Sequence, residues 1–544
     1  MRELDHRTIS ERGVRGSVLM TRAARGVLTS ILARRPWFGA GRTWIVCGSG
    51  NNGGDGLVLA ALLRERGLWP CVLLTSPAAQ LRGDAAWALR WSRSLQVQIE
   101  ESTPTRLQRV VPGDLVVDAL FGTGLTRPVE GEMAAWIEAI SSVPADVVAV
   151  DLPSGASADL PLGVGGLPSS SNSPGPIVRA DWTVTFAALK VALLFAPVRA
   201  AAGEIDLVDI GIPADIELDT GAEARLTDPS EAAALLPRRG GATHKGDWGK
   251  LILVGGFPGT VGAIALAARA ALRTGAGLVR AATPHSLAAS ITAFAPEAMT
   301  LPLPQGEDGQ LLAQGAERIL GGFGDWDALC VGPGLGRLPE SERLVMKLLG
   351  GWRGPMLIDA DGLNALARWG GDSWTPRARE IRAAGRPGGL VLTPHLGEFS
   401  RLSGRPIAEL ARNPIASARE WAQRWGVTLV CKGAPSVIAA ADGEVWVNST
   451  GNAGLATGGS GDVLSGIVLA LLGQGLDGPG AARLGCYLHG LAADLVVMDV
   501  DRAQRSLLPS DVIEALPRAI AQVDSGERPP RWIWRSIPDT MRHR

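Results

Sequence analysis

Along most of the chain, short apolar runs alternate with Gly-rich turns and with helical stretches, the pattern of a parallel α/β architecture. Strands are predicted at Thr43–Cys47, Pro70–Leu74, Asp114–Asp118, Val147–Asp151, Trp182–Phe186 and Glu204–Val208. The pattern then lapses. Residues 214–243 are rich in Asp, Glu, Ala, Pro and Gly and read as a linker between two domains. Strands resume at Lys250–Val254, Leu278–Ala282, Ala328–Val331, Met356–Asp359, Gly389–Thr393 and Val427–Lys432. A hairpin follows, Ser436–Ala440 and Glu444–Asn448, with Asp442-Gly443 at its turn. A long helix is expected after Gly461. Residues 156–178 read as an extended surface loop and 526–544 as a polar appendage, leaving domains at 1–213 and 244–525.

The chain's 544 residues exceed a single domain at roughly 150 residues each. With 46% hydrophobic and 20% charged residues there is ample material for packed cores. Lys+Arg is 53 against Asp+Glu 54, a net charge of -1, which removes the footprint of a nucleic-acid or acidic-membrane binder. The apolar runs fall short of the ~20 residues that span a bilayer, and no apolar targeting segment opens the chain. Five scattered cysteines without CxxC spacing read as core residues in a reducing compartment, so a cytoplasmic enzyme is expected; a homo-oligomer is a separate expectation. Only five of the 53 basic residues are lysines: Lys190, Lys245, Lys250, Lys347 and Lys432. In so Arg-rich a chain, a retained Lys points towards a need for a compact ammonium.

The first candidate site begins at Gly48-Ser49-Gly50-Asn51-Asn52-Gly53-Gly54-Asp55-Gly56, between a strand and the helix Leu57–Arg66. Such a loop lets the backbone approach a phosphate and offers helix N–H groups to an anion. An NAD-dependent dehydrogenase would also need an acidic residue ending the second strand, but that strand ends Leu74-Thr75-Ser76. A tight turn without a ligand is the plainer alternative. Asp118, before Phe121-Gly122-Thr123-Gly124, and Asp151, before Leu152-Pro153-Ser154-Gly155, should reach the same sheet edge. Two carboxylates there repel unless a cation or proton intervenes, and Asn, Asp and Ser oxygens suit a hard cation. Either aspartate could instead merely cap a turn.

GSGNNGGDG, DALFGTG, DLPSG and Thr183-Val184-Thr185-Phe186 with Lys190 resemble the NAD(P)H-hydrate epimerase family, a Rossmann-like three-layer fold. The resemblance implies that Asn51, Asn52, Gly53, Gly54 and Asp55, with Gly122, Thr123 and Gly124, hold the hydrated nucleotide. It further implies that Asp151 contacts the damaged ring and that Asn52, Asp118 and Ser154 bind potassium. Thr21 stands where the family has an acidic residue, and the loop after Gly155 is longer than the family's. Residue type makes Asp151 the acid/base candidate, with Lys190 its partner.

The second candidate site is Gly451-Asn452-Ala453-Gly454-Leu455-Ala456-Thr457-Gly458-Gly459-Ser460-Gly461-Asp462. Glycines opening an apolar helix make an anion hole for a transferring phosphoryl group, and no Walker lysine follows them. Asp462 reads as the only carboxylate beside that hole and as the base for a substrate hydroxyl, or else as a dipole-favoured helix acid. Together with His244-Lys245-Gly246, Gly332-Pro333-Gly334-Leu335-Gly336, Asp359-Ala360-Asp361-Gly362-Leu363-Asn364 and Thr393-Pro394-His395-Leu396-Gly397-Glu398, this stretch resembles the ribokinase-like ADP- or ATP-dependent NAD(P)H-hydrate dehydratases. The resemblance implies hydrate contacts at Ala263, Gly334, His395 and Asp462, and nucleotide contacts at Lys432, Gly433, Ala434, Pro435, Ser436 and Gly461. His395 could alternatively cap a helix.

The two resemblances imply small-molecule substrates: NADH hydrate, NADPH hydrate, and ADP or ATP with magnesium. A ribokinase-like site phosphorylates the poor leaving group of one C6 epimer, and an epimerase on the same chain supplies that epimer. The alternative is a vitamin-precursor kinase joined to a non-catalytic Rossmann-like module.

Overall fold

The computed structural model describes residues 1–35, 41–159, 175–322, 326–370, 372–383, 389–499, 503–529 and 533–537. The chain forms two units, 1–222 with 533–544, and 223–532.

In the first unit the strands are Thr43–Cys47 (β1), Cys71–Leu74 (β2), Gln98–Glu101 (β3), Leu115–Ala119 (β4), Asp146–Val150 (β5), Trp182–Phe186 (β6) and Glu204–Val208 (β7). A parallel sheet with helices on both faces buries its strands on each side, which is why β1 and β4 are buried at every position. The order β7-β6-β5-β4-β1-β2-β3 puts the direction reversal between β1 and β4, where Val46 lies opposite Asp118. Ligand crevices open at such a reversal, beyond the strands' carboxyl ends.

The second unit's strands are Arg225–Leu226 (β8), Lys250–Val254 (β9), Leu278–Pro284 (β10), Met299–Leu303 (β11), Ala328–Val331 (β12), Met356–Ile358 (β13), Leu390–Leu392 (β14), Thr428–Cys431 (β15), Val437–Ala439 (β16) and Val445–Val447 (β17). Their order is β11-β10-β9-β12-β13-β14-β15-β16-β17-β8. Strands from β11 to β15 are parallel, and the β15-β16-β17 pairings are antiparallel, as the hairpin signal requires. The architecture is α/β throughout, with a Rossmann-like first unit and a ribokinase-like second one.

Several segments differ from expectation. Residues 214–243 are not a structureless linker: they hold the helices Ala214–Thr220 and Pro229–Leu235, and β8 pairs with β17. The unit boundary falls within them, after Ala222. The tail is not only an appendage, because Arg535–Ile537 (β18) extends the first sheet beside β7, with Arg535 donating to the buried Asp206. Edge strands such as Gln98–Glu101 are partly exposed and polar, so they lack the apolar run that marks central strands. The helix Gly478–Met498 has the length and apolarity of a membrane span, unlike the short runs expected. Yet 83% of its apolar window is buried within the unit, as befits a core helix. Of the expected loop at 156–178, residues 160–174 lie outside the described residues.

Candidate active sites

In the first unit, Asn51-Asn52-Gly53-Gly54-Asp55 is itself the opening of a helix, Asn51–Glu65, six residues earlier than the Leu57 start expected. A Cβ on Gly53 would collide with the Gly48 carbonyl, so the loop can turn into the helix this sharply only with glycine there. The helix start, the Gly122-Thr123-Gly124 loop after β4 and Asp151 after β5 border one cavity of about 590 Å³. The first helix, Arg2–Arg12, contributes Arg2 and Asp5 to its wall, and the Arg2 guanidinium donates to the Thr123 carbonyl at 2.9 Å.

Asp151 adopts a left-handed backbone (φ 67°), unusual for a non-glycine residue and frequent where a side chain must be aimed. Its Oδ1 lies 2.6 Å from Lys190 Nζ and accepts from Thr185 Oγ1 at 3.2 Å. Lys190 also donates to Thr185 Oγ1 (2.9 Å) and to the Phe186 carbonyl (2.8 Å). Its three N–H bonds are therefore all committed. The expected Asp151–Lys190 partnership is physically close, but Lys190 is buried behind Asp151 and does not line the cavity.

Asp118 is fully buried. Its carboxylate accepts from the Ser154 amide (2.8 Å), the Ser154 hydroxyl (2.6 Å) and the Leu120 amide (3.3 Å). Burial nonetheless pushes its pKa up to about 6, against the pull of those hydrogen bonds. Asp151 is not among the causes. The expected repulsion between Asp118 and Asp151 is therefore replaced by desolvation of Asp118, since Asp151 has its own ammonium. Asn52 is buried with its Nδ2 unpartnered. Its Oδ1 and Asp151 Oδ2 lie 3.3 and 3.2 Å from where a Cβ on Gly122 would stand.

In the second unit, the loops after β9 and β12 meet at the sheet's reversal, where Gly256 donates to the Pro333 carbonyl at 3.1 Å. A Cβ on Gly334 would stand 3.0 Å from that of Ala263, so these two hydrate candidates are neighbours. Asp359, His395 and Lys432 follow β13, β14 and β15 along the same edge. Lys432 Nζ donates to the buried Asp359 at 2.8 Å and lies 4.0 Å from Glu398. Ser465, on the helix Ser460–Gly473, donates to the other Asp359 oxygen at 2.6 Å.

A Cβ on Gly461 would stand 3.3 Å from Lys432 Nζ and 3.9 Å from Asp359 Oδ2. The glycine turn thus meets the ammonium directly, and Asp462 is not the only carboxylate beside it. Asp462 occupies the first turn of that helix, and burial followed by Asp359 pushes its pKa up to about 7, with Lys432 opposing. Gly433 and Ser436 close the turn after Lys432 through the Ser436 hydroxyl, a 3.3 Å bond that frames Ala434 and Pro435. Asp359 and Glu398 lie within the motifs named above, but the sequence does not predict them as site residues. Their signal, a carboxylate at a strand's carboxyl end and one three residues after His395, becomes functional only once Lys432 lies between them.

His395 does cap a helix. Its Nδ1 accepts from the Gly397 and Glu398 amides of Leu396–Ser403, while Glu398 accepts the His395 amide in return. Its side chain is still 55% exposed, with Nε2 3.5 Å from Glu398 Oε1, so the ring edge can still meet a ligand. Burial and the Lys432 charge lower its pKa, so the ring is neutral near pH 7. His395→Asn should keep the cap and stay within about 1 kcal/mol of wild-type stability while weakening hydrate binding; equal hydrate affinity in a titration would restrict the residue to capping.

Two family models match the chain: one described as NAD(P)H-hydrate dehydratase over residues 251–518, one as YjeF-related protein N-terminus over residues 16–192. A bifunctional NAD(P)H-hydrate repair enzyme from Moorella thermoacetica is 39% identical, covering 96% of each chain. One from Thermofilum pendens is 36% identical over 95% of this chain and 94% of its own. Among solved structures, an ADP/ATP-dependent NAD(P)H-hydrate dehydratase from Bacillus subtilis, co-crystallized with ATP/Mg2+, is 29% identical. It covers 56% of this chain and 100% of its own, with a TM-score of 0.46.

Proposed function

This chain belongs to the bifunctional NAD(P)H-hydrate repair enzymes, and from that premise we propose how its two sites divide the work. The enzyme epimerises the R and S hydrates of NADH and NADPH in its first unit. In its second it dehydrates the S epimer at the expense of ADP or ATP. The observation that carries the assignment of residues is Asp462 beside a glycine turn that faces Lys432 and Asp359. Asp462 takes the C6 hydroxyl proton as that oxygen attacks the terminal phosphorus, and the bond to the departing nucleotide breaks. The backbone N–H groups of Gly458–Gly461 and the Lys432 ammonium stabilise the charge on the transferring group. Phosphate then leaves C6, driven by the N1 electron pair, and loss of a C5 proton restores the C5–C6 double bond.

Ala263, Gly334 and the exposed ring of His395 contact the hydrate, and Lys432 through Ser436 with Gly461 hold the nucleotide. No three His, Cys, Asp or Glu side chains converge as a metal site among the described residues, so magnesium in this reading arrives on the nucleotide phosphates. In the first unit, Asn51 to Asp55 and Gly122 to Gly124 hold the hydrate, with Asp151 at its ring. Asn52, Asp118 and Ser154 fit an alkali cation: a desolvated carboxylate without a cationic partner, a hydroxyl against it, and the amide oxygen of the buried Asn52 beside Gly122. Bound there, potassium would supply positive charge without strong polarisation, holding the loops in place.

Mixed hydrate epimers incubated with and without ADP or ATP, followed by NADH absorbance, test the whole reading. Full conversion without a slow phase is expected only with nucleotide. A stable phosphorylated product would instead mark a kinase. The fragment 223–529 should convert one epimer and then slow to the spontaneous epimerisation rate. Conversion of both epimers in one phase would remove the epimerase from the first unit.

A further inference from the structure

The epimerase cavity carries one more acid/base group than the reading above has used. Epimerisation at C6 needs two proton carriers. The C6 carbon bears both the hydroxyl and N1, so the ring opens when a base takes the hydroxyl proton, a C6 carbonyl forms and the C6–N1 bond breaks. That electron pair goes to N1, which takes a proton from an acid. Rotation about C5–C6 turns the other carbonyl face to N1, and closure runs the same transfers backwards without gain or loss of atoms or electrons.

Asp151 can be the base: its carboxyl lines the cavity and pairs with Lys190 at 2.6 Å. Lys190 cannot be the acid. Its three N–H bonds are spent on Asp151, Thr185 and the Phe186 carbonyl, and it lies behind the cavity wall. Among the described residues, four carboxyl groups line the cavity: Asp5, Asp55, Asp84 and Asp151. Asp84 packs against Gly16.

Resting on the reading that this unit is an epimerase with Asp151 at C6, we propose that Asp55 is the acid that protonates N1. Asp55 sits just beyond the first turn of Asn51–Glu65, its carboxyl on the cavity, and it makes no hydrogen bond or salt bridge among the described residues. The groups that face it are Asp5 from the helix Arg2–Arg12, Asp151 after β5, Lys190 after β6 and the Cys47 thiol at the end of β1. The sole ammonium among them is already neutralised by Asp151. Burial first, then Asp151 and Asp5, push Asp55 well above the usual carboxylate range, which favours its protonated form. Asp5 is also raised, but the chain's α-amino group opposes it in addition to Lys190, whereas Lys190 alone opposes Asp55.

The test uses the full-length protein in potassium buffer, with a single purified hydrate epimer and chromatographic separation of the two. Asp55→Asn should lower kcat by roughly 10² or more and abolish the alkaline fall of the wild-type pH profile. Asp55→Ala should regain rate in proportion to added acetic acid, which a purely structural role would not allow. A kcat within about tenfold of wild type, or an alkaline limb that survives in Asp55→Asn, overturns the proposal. So does a rate loss in Asp5→Asn that Asp55→Asn lacks. Asp151→Asn separates the two levels: full activity in that variant sinks the reading of Asp151, whereas an inactive Asp151→Asn beside an active Asp55→Asn sinks only the role of Asp55.

Discussion

Asp462→Asn should lower nucleotide-dependent NADH recovery by roughly 10²–10⁴, the contribution of a positioned base, and leave interconversion of the epimers intact. Asparagine keeps the size and the helix position but cannot accept the hydroxyl proton. The wild-type pH profile carries the same signature. Burial and Asp359 push the Asp462 pKa up to about 7, and only the ionised form can act as base. Below that value the rate should therefore climb about tenfold per pH unit, then level off above it. A variant that keeps more than roughly a tenth of the rate would move the base to another group. Asp359 is the obvious one, being the second carboxylate beside Gly461, yet its oxygens are occupied by Lys432 and Ser465.

The second large effect is expected at the buried cation set. Asp118→Ala should slow epimerisation by roughly 10- to 100-fold, the usual range for disturbing a metal's coordinating shell, and leave the nucleotide-dependent step unchanged. It should also destabilise the first unit by about 1–3 kcal/mol, because the Ser154 and Leu120 amides lose their acceptor in a dry environment. The two consequences are separable. Wild-type protein moved to potassium-free buffer keeps those hydrogen bonds, so it should lose activity without the full loss of stability. A rubidium-soaked crystal should show an anomalous peak among Asn52, Asp118 and Ser154. An empty site together with undiminished epimerisation in potassium-free buffer would reduce Asp118 to a loop anchor.

Much of this was legible in the linear sequence, for identifiable reasons. Central parallel strands are covered on both faces, so β1, β4, β9 and β12 had to be apolar runs. Loops that pass close to a neighbour or an anion must contain glycine, and those glycines marked both sites in advance. The edge strands β3 and β18 escaped because a half-exposed strand can be polar, and β18 lies some 330 residues from its partner β7. What the sequence by itself determined was the alternation of strand and helix, the chemical types at the strand ends, and the placing of Asp462 in the first turn of a helix. Only the tertiary structure decided which charged groups meet. It set Lys432 against Asp359 and near Glu398, spent every Lys190 proton behind Asp151, and put Asp118 in the dry interior instead of against Asp151. A side chain's charge state depends on the groups within a few ångströms and on the water excluded around it, and both are fixed only when distant segments pack together.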